Sequence, residues 1–171
     1  MKAISYNMKP QDIVILLKLI SLENEMWQQK PLAESLKMSQ SEISECVARC
    51  KYSGLMDSSG KKVMRNALFN FLESGIAYVY PQRPGTVVRG IATAHSAEPL
   101  SKSIASQEIY VWPYAKGKVK GHSIAPLYVT VPDAALADAK LYELLALTDA
   151  LRAGKVREKQ GAIAELKKRF F

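Results

Sequence analysis

The sequence predicts an α+β fold in which helices come first, short strands follow, and helices return at the end. Between residues 10 and 53, apolar side chains recur every three or four positions, which is the period of one buried helix face. From Ile76 onward, short segments rich in β-branched and aromatic residues alternate with Pro and Gly, a pattern typical of strands. The 171 residues, 48% of them hydrophobic, suffice for one sizeable core or two small ones.

The first two helices are placed by prolines, which favour the first turn of a helix. Pro10 is expected to open helix one, and its buried stripe should consist of Ile13, Leu16, Leu17 and Ile20. A second, short helix is expected at residues 31–37.

A third helix is placed by signals at both of its ends. Ser39 and Glu42 have the spacing of a capping box, and Gly54 is a typical residue just past a helix C-terminus. The predicted buried positions are Ile43, Cys46, Val47 and Cys50. The side chains expected to face outward are Gln40, Ser41, Ser44, Glu45, Ala48 and Arg49.

A small hairpin and a fourth helix complete the predicted N-terminal domain, residues 1–75. The polar segment 57–62 separates two short apolar stretches and predicts the hairpin. The fourth helix is expected at residues 65–74, closed by Gly75.

Residues 76–171 are expected to form a β-rich region that ends in helices and serves interaction or dimerisation. The predicted strands are Ile76–Tyr80, Thr86–Ile91, Glu108–Trp112 and Pro126–Val131. One helix is expected from Pro132 to about Arg152, and a last helix after Gly161.

Charge is unevenly distributed along the chain. The net charge of +8 suggests an anionic partner, and nucleic acid is a common one for a protein of this size. Residues 1–75 carry ten basic and eight acidic side chains, residues 76–131 carry six and two, and residues 132–171 carry eight and six. The middle of the chain is the most basic part.

The compartment is predicted from what the sequence lacks. No run of eighteen apolar residues occurs, and residues 1–10 lack the pattern of a signal peptide. Cys46 and Cys50, four apart in a predicted helix, do not readily reach disulfide geometry. We therefore expect a cytoplasmic protein with no membrane partner.

The segment from Pro31 to Ser44, PLAESLKMSQSEIS, resembles the helix-turn-helix of MarR-type and related winged-helix bacterial transcriptional regulators. In that family, a short helix containing Leu-Ala precedes a tight turn and a Ser- or Thr-capped recognition helix. The resemblance extends through YSGLM at residues 52–56 to Lys61 and Lys62 at the wing. It implies an N-terminal winged helix-turn-helix that binds double-stranded DNA.

The residue types on the third helix agree with base reading, because its polar face would fit the major groove. Gln40 is suited to adenine, Ser41 and Ser44 to several bases, and Ala48 permits close approach. Glu45 either accepts from a cytosine amino group or faces elsewhere.

Cations flanking this face are expected to hold the DNA backbone without specifying sequence. Arg49 and Lys51 suit phosphates at the third helix. Lys61, Lys62 and Arg65 would lie over phosphates or reach into the minor groove. The alternatives are a helical bundle with a solvated polar face, or a winged helix used for protein contact.

The basic middle segment is predicted to form an interaction loop. Residues 116–121, KGKVKG, are interpreted as a basic hairpin tip, and residues 80–85 as a rigid turn between strands. The cations of this loop are Arg83, Arg89, Lys116, Lys118 and Lys120. Such a tip could contact a DNA backbone, RNA bases or an acidic protein, or be a solvated turn.

No motif indicates an enzyme, a metal or a cofactor. Cys46 and Cys50 have no further cysteine near them, and His95 and His122 lack ligand spacing. The adjacent His-Ser pairs do not by themselves supply a catalytic geometry, and residues 116–121 lack the spacing of a phosphate-binding P-loop. We therefore expect no catalytic residue and no cofactor.

The predicted function is that of a sequence-specific DNA-binding transcriptional regulator, expected to act as a homodimeric repressor. The alternative is an antitoxin-like interaction module, whose C-terminal half neutralises a protein partner. The leucine-rich C-terminal helix fits either an intramolecular core or a dimer seam.

Overall fold

A computed structural model describes residues 5–23 and 25–171, and confirms the α+β class. Helices precede and follow a small three-stranded sheet. The N-terminal helices are α1 (Pro10–Ser21), α2 (Gln29–Leu36), α3 (Gln40–Ser53), α4 (Arg65–Ser74) and α5 (Ile76–Val79). The strands are β1 (Val87–Ala92), β2 (Tyr110–Pro113) and β3 (Val119–Ser123). The C-terminal helices are α6 (Val131–Leu136), α7 (Ala139–Ala153) and α8 (Val156–Phe170).

The N-terminal helices begin and end close to the predicted residues. Pro10 is the first residue of α1, and α4 has the predicted bounds. The Ser39 hydroxyl accepts a hydrogen bond from the backbone N–H of Glu42, which caps α3. Gly54 ends α3 with φ +80°, a left-handed conformation that glycine adopts without steric cost. Local chain signals therefore suffice to position α1, α3 and α4.

The three strands form a small closed barrel. β1 runs antiparallel to both β2 and β3, and β2 lies parallel to β3. Gly90 is opposite Pro113 on β2 and Val119 on β3. A Cβ at position 90 would overlap the carbonyl oxygen of Trp112, so glycine is required for this close approach.

Two predicted strands are wrong. Residues 76–80 contain the helix α5, because Ile76 extends the buried face of Leu68 and Leu72 at intervals of four residues. Residues 126–131 are a turn that leads into α6, with the N–H of Val131 donating to the Tyr128 carbonyl.

The predicted hairpin tip at residues 116–121 is also wrong. Lys120 and its neighbours belong to β3, and β3 is parallel to β2 rather than the return strand of a hairpin. Five residues, 114–118, connect the two strands. The basic residues therefore lie on and beside a strand of the barrel.

The C-terminal helices differ from the prediction at two places. The expected helix from Pro132 to Arg152 is interrupted, because Asp138 caps a new helix by accepting from the N–H of Leu141. The last helix begins at Val156, before the predicted start, and includes Gly161, beside which Leu100 packs.

One hydrophobic core continues across residue 75. It contains apolar residues of α1, α3 and α4 together with residues of the barrel and of α7. The α7 leucines Leu141, Leu144, Leu145 and Leu151 are buried within this chain. These leucines therefore belong to the intramolecular core, which was one of the two predicted roles, the other being a dimer seam.

Asp149 of α7 connects the helices to the barrel. Its buried carboxylate accepts hydrogen bonds from Thr93 Oγ1 at 2.8 Å, Trp112 Nε1 at 2.6 Å and Arg152 Nη1 at 2.8 Å. Burial raises the pKa of Asp149 despite these donors. Arg152 also donates to the carbonyl of Tyr80, just before the barrel. These bonds fix the barrel against α7.

No helix within residues 5–23 and 25–171 has the length and apolar character needed to cross a membrane.

Candidate nucleic-acid interface

Helices α2 and α3 are joined by a three-residue turn. Lys37 adopts a left-handed conformation with φ 54° at the end of α2. Met38 is buried, and Ser39 caps α3. The Gln29 side chain donates to the carbonyl of Gln40 at 2.6 Å and so links the two helices again. The start of α3 is therefore fixed relative to α2.

The outer face of α3 is polar and open to solvent. Ile43, Cys46 and Cys50 are buried against the other helices. The exposed residues of the outer face are Gln40, Ser41, Ser44, Glu45, Ala48, Lys51 and Tyr52. The sequence placed all of these outward except Lys51 and Tyr52, which it did not assign to a face. A convex helix face of this kind has the dimensions to enter the major groove.

Arg49 does not belong to this face, and its predicted phosphate contact is corrected. The residue is only 4% exposed, and its guanidinium donates to Asp12 of α1 through Nε at 2.9 Å and Nη2 at 2.7 Å. Nη2 also donates to Glu42 Oε1 at 2.9 Å. The hydrogen bond to Asp12 raises the pKa of the Arg49 guanidinium, which stays charged. Arg49 is a structural residue that holds α3 on α1.

Glu42 and Glu45 are the carboxylates of α3. The Glu42 carboxylate accepts hydrogen bonds from Arg49 and from the side chain of Gln11. These bonds take the place of the predicted one from the backbone N–H of Ser39 to Glu42. Glu45 is largely exposed, with Oε2 3.6 Å from Arg49 Nη1. Its carboxylate therefore lies at the edge of the outer face.

A short antiparallel bridge between Met56 and Val63 follows α3. Asp57 closes the connecting turn by accepting from the backbone N–H groups of Lys61 and Lys62, each at 3.1 Å. The pKa of Asp57 is lowered, most of all by the hydrogen bond from the Lys62 N–H and also by those from the Ser59 hydroxyl and the Lys61 N–H. Lys61 and Lys62 are both exposed at this turn.

Trp27 holds the turn in place, a contact that sequence reasoning missed. Its Nε1 donates to the Lys61 carbonyl at 2.8 Å, and Lys61 Nζ lies 4.7 Å from the centroid of its ring. Such a cation–π contact contributes about 0.5–1 kcal/mol at an exposed site. A tryptophan between two predicted helices gives no sequence signal for this pairing.

Arg65 is partly engaged inside the molecule. It is half-buried, and Nη1 donates to the Phe170 carbonyl at 3.1 Å, near the end of α8. The sequence grouped Arg65 with Lys61 and Lys62, but of these three residues only the two lysines are exposed.

Tyr52 is a second residue that sequence reasoning missed. It is 73% exposed at the C-terminal end of the outer face of α3, and its ring stacks on that of Tyr6 at 4.3 Å between centroids. An exposed aromatic pair next to a polar helix face offers a surface for a sugar or a base.

The predicted interaction loop maps to the outside of the barrel. Its five cations, Arg83, Arg89, Lys116, Lys118 and Lys120, are all exposed. Arg89 is on β1 and donates to the Gly117 carbonyl at 3.3 Å. Lys120 is on β3. These cations come from residues 83–120, a segment of the chain that does not include α3.

The chain matches no protein-family model, no curated protein and no solved structure.

Proposed function

We propose that this protein is a sequence-specific DNA-binding transcriptional regulator, acting as a repressor, with an N-terminal winged helix-turn-helix. In this proposal α2 and α3 are the helix-turn-helix, and the turn at residues 57–62 is the tip of the wing. The resemblance of residues 31–44 to MarR-type regulators supports the proposal. The observation that carries it is the polar, solvent-facing stripe on α3, whose opposite face is buried.

Base reading is assigned to the first two turns of α3. Gln40 offers an amide that can pair bidentately with adenine, and Ser41 and Ser44 have hydroxyls that donate or accept. Ala48 adds no bulk one turn later, so the helix axis can lie close to the base edges. Glu45 would accept from a cytosine amino group if the groove brings one within reach.

Backbone contacts are assigned to exposed lysines. Lys51 lies at the end of α3, and Lys61 and Lys62 lie at the turn. Because Arg49 is used internally and Arg65 partly so, few cations near α3 are available for phosphates. We expect this part of the chain to bind DNA with a modest salt dependence.

A direct test is a gel shift with the DNA upstream of the protein's own gene. Ser44→Glu places a carboxylate at the centre of the outer face and should abolish the shift through repulsion by phosphates. Ser101→Glu makes the same change at an exposed serine outside α3 and should leave the shift intact. Equal binding by the two variants would remove α3 from the role of reader.

The homodimer remains part of the proposal. Two copies would present their recognition helices to half-sites about 34–36 Å apart. The second candidate, an antitoxin-like module, is favoured by the basic residues outside the barrel, which could hold an acidic protein. A stoichiometric protein partner bound through residues 76–171, together with no gel shift, would favour that candidate.

A further inference from the structure

Two cations are opposed on neighbouring strands of the barrel. Arg89 of β1 and Lys120 of β3 are register partners in the antiparallel pair. Residues directly opposite each other have Cβ atoms about 4.5–5.5 Å apart, and like charges in such a pair destabilise the sheet. Among the residues that the structure describes, neither cation has a carboxylate within the 4.0 Å of a salt bridge. The pair is therefore an uncompensated concentration of positive charge.

Exposed lysines in the connection between β2 and β3 extend this charge. Lys118, just before β3, lies two residues from Lys120 and is exposed, as is Lys116 two residues earlier. His122, the next residue of the series, is opposite Val87, and its Nδ1 lies 3.0 Å from the Gly85 carbonyl oxygen. Lys120 on β3 and the exposed lysines just before this strand thus bring several basic side chains together in one short segment. We call Arg89, Lys116, Lys118 and Lys120 the barrel cations.

The segments that build this surface contain no acidic residue. Residues 74–97 include all of β1, residues 109–132 include β2 and β3, and neither segment has an Asp or a Glu. The nearest acidic residues along the chain are Glu73, Glu98, Glu108 and Asp133. Glu98 and Glu108 lie near Lys102 and Lys155, and Asp133 accepts from Tyr114. The barrel cations therefore have no acidic neighbour within their own segments.

We infer that the barrel cations form a second nucleic-acid surface, which binds phosphate groups irrespective of sequence. A backbone with a charge on every nucleotide can engage Arg89 and Lys120 together, and Arg suits bidentate contact with phosphate. Protein interfaces are depleted in Lys and have an apolar centre, whereas this surface is rich in Lys, with Val87 and Ile109 among its exposed apolar side chains. The inference extends the proposed function and rests on it only for the identity of the DNA.

The test compares two double variants of equal charge. Arg89→Gln/Lys120→Gln removes the opposed pair. Arg157→Gln/Lys167→Gln removes two exposed cations of α8 and is the control. Binding of each protein to a duplex of random sequence is measured by fluorescence anisotropy from 50 to 200 mM KCl.

The barrel variant should bind more weakly at low salt than the control. For this variant, the slope of the logarithm of the binding constant against the logarithm of the salt concentration should be shallower by about 1.8. Each lost phosphate contact removes about 0.9 from this slope. The melting temperature of this variant should not fall, since the substitutions relieve like-charge repulsion. A slope equal to that of the control would overturn the inference.

Two further measurements separate the inference from the proposed function. If Ser44→Glu leaves the gel shift with the upstream DNA unchanged while the barrel variant weakens binding to the random duplex, the proposed role of α3 fails and the barrel surface stands. Poly-glutamate at matched charge concentration is the probe for an acidic protein. Displacement of the duplex by poly-glutamate as effectively as by competing duplex would overturn the assignment to nucleic acid.

Discussion

Arg49 of α3 and Asp12 of α1 are joined by two parallel hydrogen bonds inside the protein, at 2.9 and 2.7 Å. Both side chains are at most 5% exposed. Asp12 also accepts from the backbone N–H of Lys9 and so caps its own helix. This pair sets the position of α3 on α1, and thereby the direction in which the outer face of α3 points.

Removing one member of the pair should be strongly destabilising. Arg49→Met leaves the Asp12 carboxylate buried without its partner, and we expect the free energy of unfolding to fall by about 3–5 kcal/mol. Urea denaturation followed by circular dichroism measures the change. The double variant Arg49→Met/Asp12→Leu removes both charges and should regain much of the loss. A double variant as unstable as the single one would show that the charge pairing is not the cause.

Glycine at position 90 is required for strand contact, and glycine at position 54 for a helix end. Gly54→Ala puts a side chain in a left-handed conformation but in open space, and should cost about 1–2 kcal/mol. Gly90→Ala drives a Cβ into the Trp112 carbonyl and should cost more, about 3 kcal/mol. Equal losses in thermal or urea unfolding would contradict the observed packing of β1 on β2.

Asp138 makes stability depend on pH. Burial acts to raise its pKa, but hydrogen bonds from Lys18 and from the Leu141 N–H outweigh it, so the pKa lies below its ordinary value. A lowered pKa stabilises the fold above the unfolded value, about 3.9, and that stability is lost as the pH falls through the folded pKa.

Asp138→Asn keeps a helix cap but removes the charge that pairs with Lys18. Wild type should be more stable than this variant at pH 6, and the difference should vanish as the pH falls below about 4. Chemical denaturation at a series of pH values measures both proteins. A difference that stays constant from pH 6 to pH 2.5 would contradict the assignment.

The two thiols should be inert in the folded protein. Cys46 and Cys50 are 0% and 1% exposed. Their Sγ atoms lie 3.7 Å apart and form no disulfide. The hydrogen bond to Cys50 and burial raise the pKa of the Cys46 thiol, so the reactive thiolate is scarce. A thiol reagent should label neither residue under native conditions and both in denaturant. Rapid labelling of the native protein would be inconsistent with this packing.

The sequence predicted those elements whose signals are local. Pro10, Ser39 and Gly54 mark helix ends through their own backbone and side-chain chemistry, and the structure places helix ends at each of them. The outer face of α3 follows from the spacing of Ile43, Cys46 and Cys50 in the same way.

Features that depend on distant residues were not predictable. Arg49 has the position of an outward residue, and its charge is tolerated inside the protein because Asp12, 37 residues away, accepts two hydrogen bonds from it and Glu42 accepts another. Strand β3 contains Lys and Gly, which are poor strand formers, and it is held by pairing with β1 over residues 87–90 and 119–122. Such pairings between segments leave no local pattern.

The most direct test of the central claim, that α3 reads DNA sequence, is selection from a library of random duplexes by the wild-type protein and by Gln40→Ala. The wild type should enrich one motif with an adenine that Gln40 contacts. Gln40→Ala should enrich the same motif without preference at that adenine, because the bidentate pair is lost. Failure of the wild type to enrich any sequence, or identical motifs from both proteins, would contradict the proposal.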